Sequence, residues 1–212
     1  HIAFRADVGV GIELGHLVPF TYFGIKDVVD YAPIPWRSRR FDPEVLSQAV
    51  QTEARMQRLW EAWQEHPAAR TLIFCCSIAH ARFVADWLGD RGVRCAEVHS
   101  GPGSHDRARS LDQLQRGEIA AIATVDLFNE GVDVPSVDRV VMLRPTESPV
   151  VFIQQLGRGL RTASGKTALC VIDFVGNHHV FLDRIRTLVQ LAQIGQRGLA
   201  RILRDLSRDG PL

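Results

Sequence analysis

Two arginines in the last third of the chain have the spacing that most clearly suits a chemical task. They lie three residues apart in the segment Gln154-Gln-Leu-Gly-Arg158-Gly-Leu-Arg161. On a helix, this spacing puts both guanidinium groups on about the same side. Guanidinium forks match the oxygens of a polyphosphate, and they stabilise the charge that develops when a phosphoryl group is transferred. A pair of ordinary surface arginines is the alternative that these residues alone leave open.

A second segment, Ser164-Gly-Lys166-Thr, imitates the end of a phosphate-binding loop. The complete loop needs a glycine five residues before Gly165, and the chain has Leu160 there. No GxxxxGK[ST] pattern and no Asp-Glu dipeptide occurs elsewhere in the chain. We therefore interpret 164–167 as a turn between the arginine segment and the last strand.

Three further segments precede the arginines in a fixed order. They are Thr71-Leu-Ile-Phe-Cys-Cys-Ser77, Val98-His-Ser100-Gly101 and Ala123-Thr124-Val-Asp-Leu-Phe-Asn-Glu-Gly131-Val-Asp133-Val-Pro135. The arginine segment resembles motif VI of superfamily 2 helicases. Of the three preceding segments, the first resembles motif IV, the second resembles the strand end that follows motif IV, and the third resembles motif V. The resemblance covers roughly 70–176, and it is to the second RecA-like domain of DEAD/DEAH-type helicases related to restriction and repair motors.

For the nucleotide, the resemblance implies roles at five positions. Arg161 would be the principal arginine finger on the γ-phosphate, with Arg158 beside it and Gln154 coupling the nucleotide to the domain interface. Gly131 would let the backbone approach the phosphates. Asp133 would bind the ribose or hold the interface, although capping the turn before Pro135 is an equal alternative.

For nucleic acid, the resemblance implies that Ser77, Ser100, Gly101 and Thr124 hold the phosphodiester backbone of a bound strand. Each of these residues follows or ends a predicted strand, and open parallel sheets bind ligands at the carboxyl ends of their strands. A cap or turn role is the alternative for each of them.

The strands that position these residues follow from short apolar runs without alternation, which indicate strands buried on both faces of a parallel sheet. The runs are at 72–75, 95–98, 119–124, 140–143 and 169–172. Segments 78–89 and 104–116 have the period of crossover helices, with Ser77 and Ser104 as N-caps. Asp42-Pro43 begins a helical pattern that continues to Pro67 and predicts one long amphipathic helix.

The fold predicted from these elements is α/β: a three-layer RecA-like domain with a mostly parallel central sheet. Residues 42–176 would form this domain and 177–212 a helical extension. Residues 1–41 would be a connector from a missing N-terminal motor domain, because 12–41 resembles the connector of the same helicases. Within it, the basic loop 37–40 between Trp36 and Phe41 could contact phosphates and stack on bases, but a solvated loop with anchoring aromatic residues is favoured.

Composition sets only broad limits. The 212 residues are 46% hydrophobic with a net charge of +1, which excludes a globally basic nucleic-acid binder but not a basic face. No run approaches the roughly 20 apolar residues of a membrane-spanning helix. Cys75, Cys76, Cys95 and Cys170 fall in apolar runs with no metal-site spacing, so we predict reduced core thiols, no metal site and a soluble, cytoplasmic protein.

The resulting hypothesis is the second motor domain of an ATP-dependent DNA helicase or translocase. It would supply arginine fingers and a nucleic-acid surface, with DNA more strongly expected than RNA. ATP and Mg²⁺ would be bound mainly by the missing motor domain, so this chain alone would not hydrolyse ATP. Two alternatives stay open: a non-catalytic nucleic-acid-binding domain with a helicase-derived fold, and an unrelated doubly wound protein whose arginines bind another phosphate.

Overall fold

The computed structural model describes residues 12, 14–38, 40–125, 136–145, 151, 155, 157 and 159–181. In this part of the chain six strands form one sheet in the order β1-β8-β7-β4-β6-β5, and every neighbouring pair is parallel. They are β1 (Phe20–Lys26), β4 (Thr71–Phe74), β5 (Cys95–Val98), β6 (Ala121–Thr124), β7 (Arg139–Met142) and β8 (Leu169–Val175). The five predicted apolar runs all fall in this sheet, which confirms the predicted parallel architecture.

Four helices and a small hairpin complete the elements with continuous bounds. The hairpin pairs β2 (Trp36–Arg37) with β3 (Arg40–Phe41). The helices are α1 (Pro43–Val50), α2 (Glu53–Glu65), α3 (Ile78–Gly89) and α4 (Arg107–Gln115). Residues 151, 155, 157, 159 and 160 are also helical. No helix in the described ranges is long and apolar enough to cross a membrane.

Two apolar cores, one on each face of the sheet, explain the unbroken apolar runs. In β4, Leu72 and Phe74 face one core, whereas Ile73 faces the other. Leu114 of α4 and Leu160 cover the first face, and α2 and α3 cover the second. Side chains of successive strand residues point to opposite faces, so a strand with helices on both sides is apolar at every position. The predicted three-layer RecA-like fold is confirmed.

The prediction of one long helix from Asp42 to Pro67 was wrong. Asp42 does cap α1, accepting hydrogen bonds from the amides of Glu44 and Val45, but that helix ends at Val50. Thr52 has an extended backbone and its side chain accepts from the Arg55 amide, so it starts α2 as a new N-cap. The apolar period continues through the break because each helix buries its apolar side in the protein interior.

Two other local predictions need correction. Ser104 does not cap α4, which begins later with Asp106 as its N-cap. Ser104 instead accepts a hydrogen bond from the His99 amide, 2.9 Å away. The predicted connector also does more than connect: β1 pairs along its whole length with β8, from Phe20 beside Leu169 to Lys26 beside Val175. Residues 20–26 therefore belong to the main sheet.

Candidate nucleotide and nucleic-acid sites

Ser77 and Gly101 meet at the carboxyl edge of the sheet. Ser77 is the N-cap of α3, and its Oγ accepts from the His80 amide at 3.0 Å and lies 2.6 Å from the Ser47 Oγ of α1. Gly101 packs so closely on the first residue of α3 that an added Cβ would lie 2.6 Å from Ile78 Cδ1. The segments that follow β4 and β5 therefore form one continuous surface beside the amino end of a helix.

Ser100 and Thr124 differ sharply in accessibility. Ser100 is exposed between His99 and Gly101. Thr124 is fully buried, and its hydroxyl donates a 2.8 Å hydrogen bond to the Val98 carbonyl of β5. Because this proton is committed inside the protein, the Thr124 hydroxyl holds the ends of β5 and β6 together and is not presented to a ligand.

A buried polar network lies directly behind the Ser77 edge. Arg55 of α2 is 1% exposed, and its Nε lies 3.0 Å from both carboxylate oxygens of Asp27. Its Nη2 donates to the Leu143 carbonyl at 2.7 Å, and its Nη1 lies 3.4 Å from His80 Nε2. Tyr31 donates its hydroxyl proton to Asp27 at 2.7 Å. The network ties the segment after β1 to the first turn of α3.

Burial sets the ionisation of two groups in this network. Desolvation, reinforced by the Arg55 cation, lowers the pKa of His80 well below its usual 6.5. Desolvation raises the pKa of the Cys76 thiol to about 11, although Arg55 and Arg144 oppose the shift. Cys76 Sγ lies 3.3 Å from His80 Nδ1. A neutral imidazole and a neutral thiol therefore lie beside the Ser77 cap, and Arg55–Asp27 is the ion pair behind them.

Arg161 lies at the opposite end of the sheet. The Leu160 carbonyl accepts from the Val18 amide at 2.7 Å, and Arg161 forms a bridge with Leu17, in the segment that enters β1. Arg161 is exposed and is not part of the helix that includes Leu160. The structure therefore separates Arg161 from Ser77, Ser100 and Gly101 by the length of the strands.

Lys166 fixes the backbone around Arg161. Its ammonium group donates to the Gly159 carbonyl at 2.5 Å and to the Arg161 carbonyl at 3.2 Å. Partial burial lowers its pKa to about 8, and Asp138 opposes the shift. Gly165, with φ +77°, forms the turn before it. Lys166 thus donates to two carbonyls at and just after the end of the helix, in agreement with the interpretation of 164–167 as a turn.

Four predicted site residues, Gln154, Gly131, Asp133 and Arg158, lie outside the described residues. Within the described ranges no three His, Cys, Asp or Glu side chains are grouped as metal ligands. Among the predicted nucleotide-binding residues only Arg161 can be located.

Sequence interpretation missed the Asp27–Arg55–His80 network, although a signal for it existed. Arg55 falls on the apolar side of its helix, four residues before Leu59 and seven before Ala62, both buried. A charged residue in such a stripe must find a partner inside the protein, because an unpaired buried charge is strongly destabilising. The pattern could have identified Arg55 as a buried cation, but it could not have named Asp27 as its partner.

Comparison with known proteins gives consistent matches. The model for the helicase conserved C-terminal domain matches residues 51–163. The chain is 31% identical over 126 residues to the "putative ATP-dependent helicase IRC3" of Saccharomyces cerevisiae, a match that covers 59% of this chain and 18% of that protein. The chain thus spans less than a fifth of the length of this relative.

Two solved structures have the same fold. A fragment of a "putative HsdR subunit of a type I restriction enzyme" from Vibrio vulnificus YJ016 superposes with a TM-score of 0.61 at 25% identity, covering 82% of this chain and 35% of that one. The C-terminal domain of the DEAD-box protein Dbp5 superposes with a TM-score of 0.56 at 18% identity, covering 85% of this chain and 88% of that domain. The latter likeness supports the fold alone.

Proposed function

Since this chain belongs to the helicase conserved C-terminal domain family, we propose that it is the second motor domain of an ATP-dependent DNA helicase or translocase. The placement of two candidate sites at opposite ends of one sheet carries this proposal. Arg161 is exposed at one end, and Ser77, Ser100 and Gly101 line the other. A motor must hold nucleotide and nucleic acid at the same time, and separate sites make this sterically possible.

On the nucleotide side, Arg161 is the proposed arginine finger. Its backbone is held by the Leu17 bridge and by the Lys166 ammonium group, while its side chain stays exposed. A held backbone with an exposed arginine side chain suits a group that enters another domain's active site on closure. Arg158, Gln154, Gly131 and Asp133 are proposed to complete this side. ATP and Mg²⁺ would be bound mainly by the first motor domain, so this chain alone is expected to be inactive.

On the nucleic-acid side, Ser100 and Gly101, with the first turn of α3 after Ser77, are proposed to hold the phosphodiester backbone. The first amides of a helix have no partners within it, and they attract anions. Thr124 would act indirectly, by fixing the ends of β5 and β6. DNA is favoured over RNA because the relative at 25% identity is named as part of a restriction enzyme.

The test is steady-state ATP hydrolysis by the longer protein that carries this chain, with and without single-stranded DNA, duplex DNA or RNA. Arg161→Ala should lower kcat by about 10³-fold or more, because an arginine finger acts mainly on the transition state. Arg58→Ala is the matched control, since Arg58 is an exposed arginine whose ion pair among the described residues is with Glu61 of its own helix. The nucleic acid that stimulates turnover most identifies the substrate.

One result would contradict the motor, and another would contradict only the assignment of Arg161. If the wild-type protein binds nucleic acid but shows no hydrolysis, the alternative of a non-catalytic nucleic-acid-binding domain would replace it. If hydrolysis is stimulated but Arg161→Ala behaves like Arg58→Ala, the motor would stand and the assignment of Arg161 would fall.

A further inference from the structure

A short basic hairpin projects from the segment that follows β1. Trp36 pairs with Phe41 and Arg37 with Arg40 in its two strands. Ser38 makes the turn with φ +51°, a left-handed conformation suited to a tight hairpin. The Pro35 carbonyl accepts from the Asp42 amide at 2.8 Å and closes the base of the hairpin on the start of α1. Of the three arginines in this segment, Arg37 and Arg40 lie opposite each other on the paired strands, and Arg39 lies outside the described residues.

The hairpin lies against a group of aromatic rings. The Trp36 ring is 4.7 Å from Phe41 and 4.6 Å from His178, measured between centroids. His179 lies 4.1 Å from His178 and 5.6 Å from Trp36. Phe41 is buried, Trp36 is partly exposed and His179 is exposed. Phe41 anchors the hairpin, while Trp36 and His179 keep part of their surface exposed.

This group continues the carboxyl edge of the sheet. Trp36, Phe41 and Cys76 belong to one apolar cluster, together with Val175 at the end of β8. Cys76 directly precedes Ser77, which contacts Ser47 of α1. The hairpin is therefore next to the proposed backbone-binding edge, on the side away from Gly101.

The charges of the hairpin are not neutralised within the described part of the protein. Arg37 and Arg40 are exposed, and no ion pair within the described residues involves either of them. The nearest carboxylate in sequence, Asp42, accepts from the amides of Glu44 and Val45 as a helix cap. Exposed arginines beside accessible rings match a strand of nucleic acid, which offers phosphates and base faces at regular intervals.

We propose that this hairpin surface, made of Trp36, Arg37, Arg40 and His179, binds single-stranded nucleic acid and extends the path that starts at Ser77 and Gly101. The inference rests on the proposed nucleic-acid function of the carboxyl edge. Arg37 and Arg40 contact phosphates, and Trp36 and His179 stack on one or two bases. The net charge of +1 does not oppose this, because the positive charge is local.

The test is binding of the 212-residue chain to fluorescein-labelled dT20 or rU20, followed by anisotropy at several salt concentrations. Titration to several hundred micromolar covers the range of non-specific binding, roughly 10⁻⁴ M or tighter. Arg37→Ala/Arg40→Ala should weaken binding at least about fivefold and reduce the salt slope by about 0.7 for each lost phosphate contact. Arg58→Ala/Arg94→Ala removes the same charge from exposed positions off this edge and should leave affinity within about twofold.

A second measurement follows stacking directly. Trp36→Phe keeps a ring in the cluster but removes the indole that would report a stacked base. Oligonucleotide should quench tryptophan fluorescence in the wild-type chain and quench it much less in Trp36→Phe. Equal quenching in both proteins, or equal affinity of the two double-arginine variants, would overturn the hairpin surface. Circular dichroism verifies that each variant is folded.

Ser100→Asp separates this inference from the proposed function. It puts a negative charge on the exposed edge beside Gly101, away from the hairpin. If Ser100→Asp weakens binding and the hairpin variants do not, the hairpin surface is wrong and the edge stands. If only the hairpin variants weaken binding, the hairpin stands and the edge assignment fails. If the wild-type chain binds neither dT20 nor rU20, both are wrong.

Discussion

At the scale of single residues, His80 is controlled by what surrounds it. Its ring is buried in the first turn of α3, with Arg55 on the Nε2 side and Cys76 on the Nδ1 side. Burial and the adjacent cation both disfavour a proton on the ring, which gives the lowered pKa. The Cys76 thiol is neutral at physiological pH and cannot compensate. His80 therefore functions as a neutral hydrogen-bonding group.

The lowered pKa of His80 predicts that the free energy of unfolding decreases at acid pH. Below about pH 6.5 the unfolded chain protonates His80 and the folded chain does not, so the free energy of unfolding falls as the pH falls. The contribution of His80 is at most about 1.4 kcal/mol per pH unit until its folded-state pKa is reached. His80→Gln should remove this contribution. The free energy of unfolding of the variant, measured by urea denaturation between pH 6.5 and 5, should therefore change less steeply with pH than that of the wild type.

The control is His105→Gln, which changes an exposed histidine. The free energy of unfolding of this variant should change with pH about as steeply as that of the wild type. If His80→Gln retains the full wild-type slope, His80 takes up a proton in the folded protein and the network is different from the one described.

The site residues differ in how far sequence could define them. Ser77 was predicted as a cap, and it is one, because a serine before a helical pattern has few other ways to satisfy its hydroxyl. The burial of Thr124 could not be predicted from a hydroxyl at a strand end, since its acceptor is on β5, 26 residues away in sequence. Local patterns define caps, whereas pairs distant in sequence depend on the assembled sheet.

At the scale of elements, the helix that precedes Arg161 is held close to the sheet by one glycine. An added Cβ on Gly159 would lie 2.7 Å from Leu169 Cδ1 and 3.1 Å from Val140 Cγ2. Gly157, two residues earlier, has no atom within 4 Å of the same position. Close packing on the sheet therefore requires a glycine at position 159 but not at position 157.

The two positions give a matched prediction for stability. Gly159→Ala should lower the free energy of unfolding by about 1–3 kcal/mol, because the helix must move away from β7 and β8. Gly157→Ala should leave it unchanged or raise it by up to about 1 kcal/mol, because alanine costs less entropy in a helix. Urea denaturation of both variants measures the difference. Equal effects would show that the helix does not pack on the sheet through Gly159.

The break between α1 and α2 shows a limit of periodicity. An apolar repeat records which side of a segment is buried, and two successive helices preserve it here although α1 packs in one apolar cluster and α2 in another. The break depends on the extended Thr52 backbone and on the Gln51 side chain, which donates to the Ser47 carbonyl at 2.6 Å. A threonine followed by a good helix former indicates a cap only weakly when helical residues lie on both sides.

At the scale of the whole molecule, residues 17–41 are part of the fold. They supply β1, the Asp27 carboxylate that pairs with Arg55, and Tyr31, which is fully buried against Phe181. A connector was predicted because residues 12–41 resemble the connector of superfamily 2 helicases. Its partners, β8 and α2, lie far along the chain, and local sequence does not reveal such pairing.

Removal of residues 1–41 should therefore abolish cooperative folding. The deletion exposes the edge of β8 and leaves Arg55 as a buried cation without its carboxylate, which alone costs about 3–5 kcal/mol. Removal of residues 1–16 keeps β1 and Asp27 and should leave a protein that unfolds cooperatively. Thermal unfolding by circular dichroism, with size-exclusion chromatography for aggregation, compares the two. Equal stability would show that 17–41 is only a connector.

The pairing of β1 with β8 also affects how the protein is made. Tyr22 on β1 donates a 2.7 Å hydrogen bond to Asp173 on β8, and the two residues are 151 positions apart. Among the six strands of this sheet, β1 leaves the ribosome first, yet its neighbour β8 leaves last. The intervening strands can pair while translation continues, but β1 must wait with an apolar face uncovered. Of these six strands, the one that is synthesised first is thus the one whose place in the sheet is filled last.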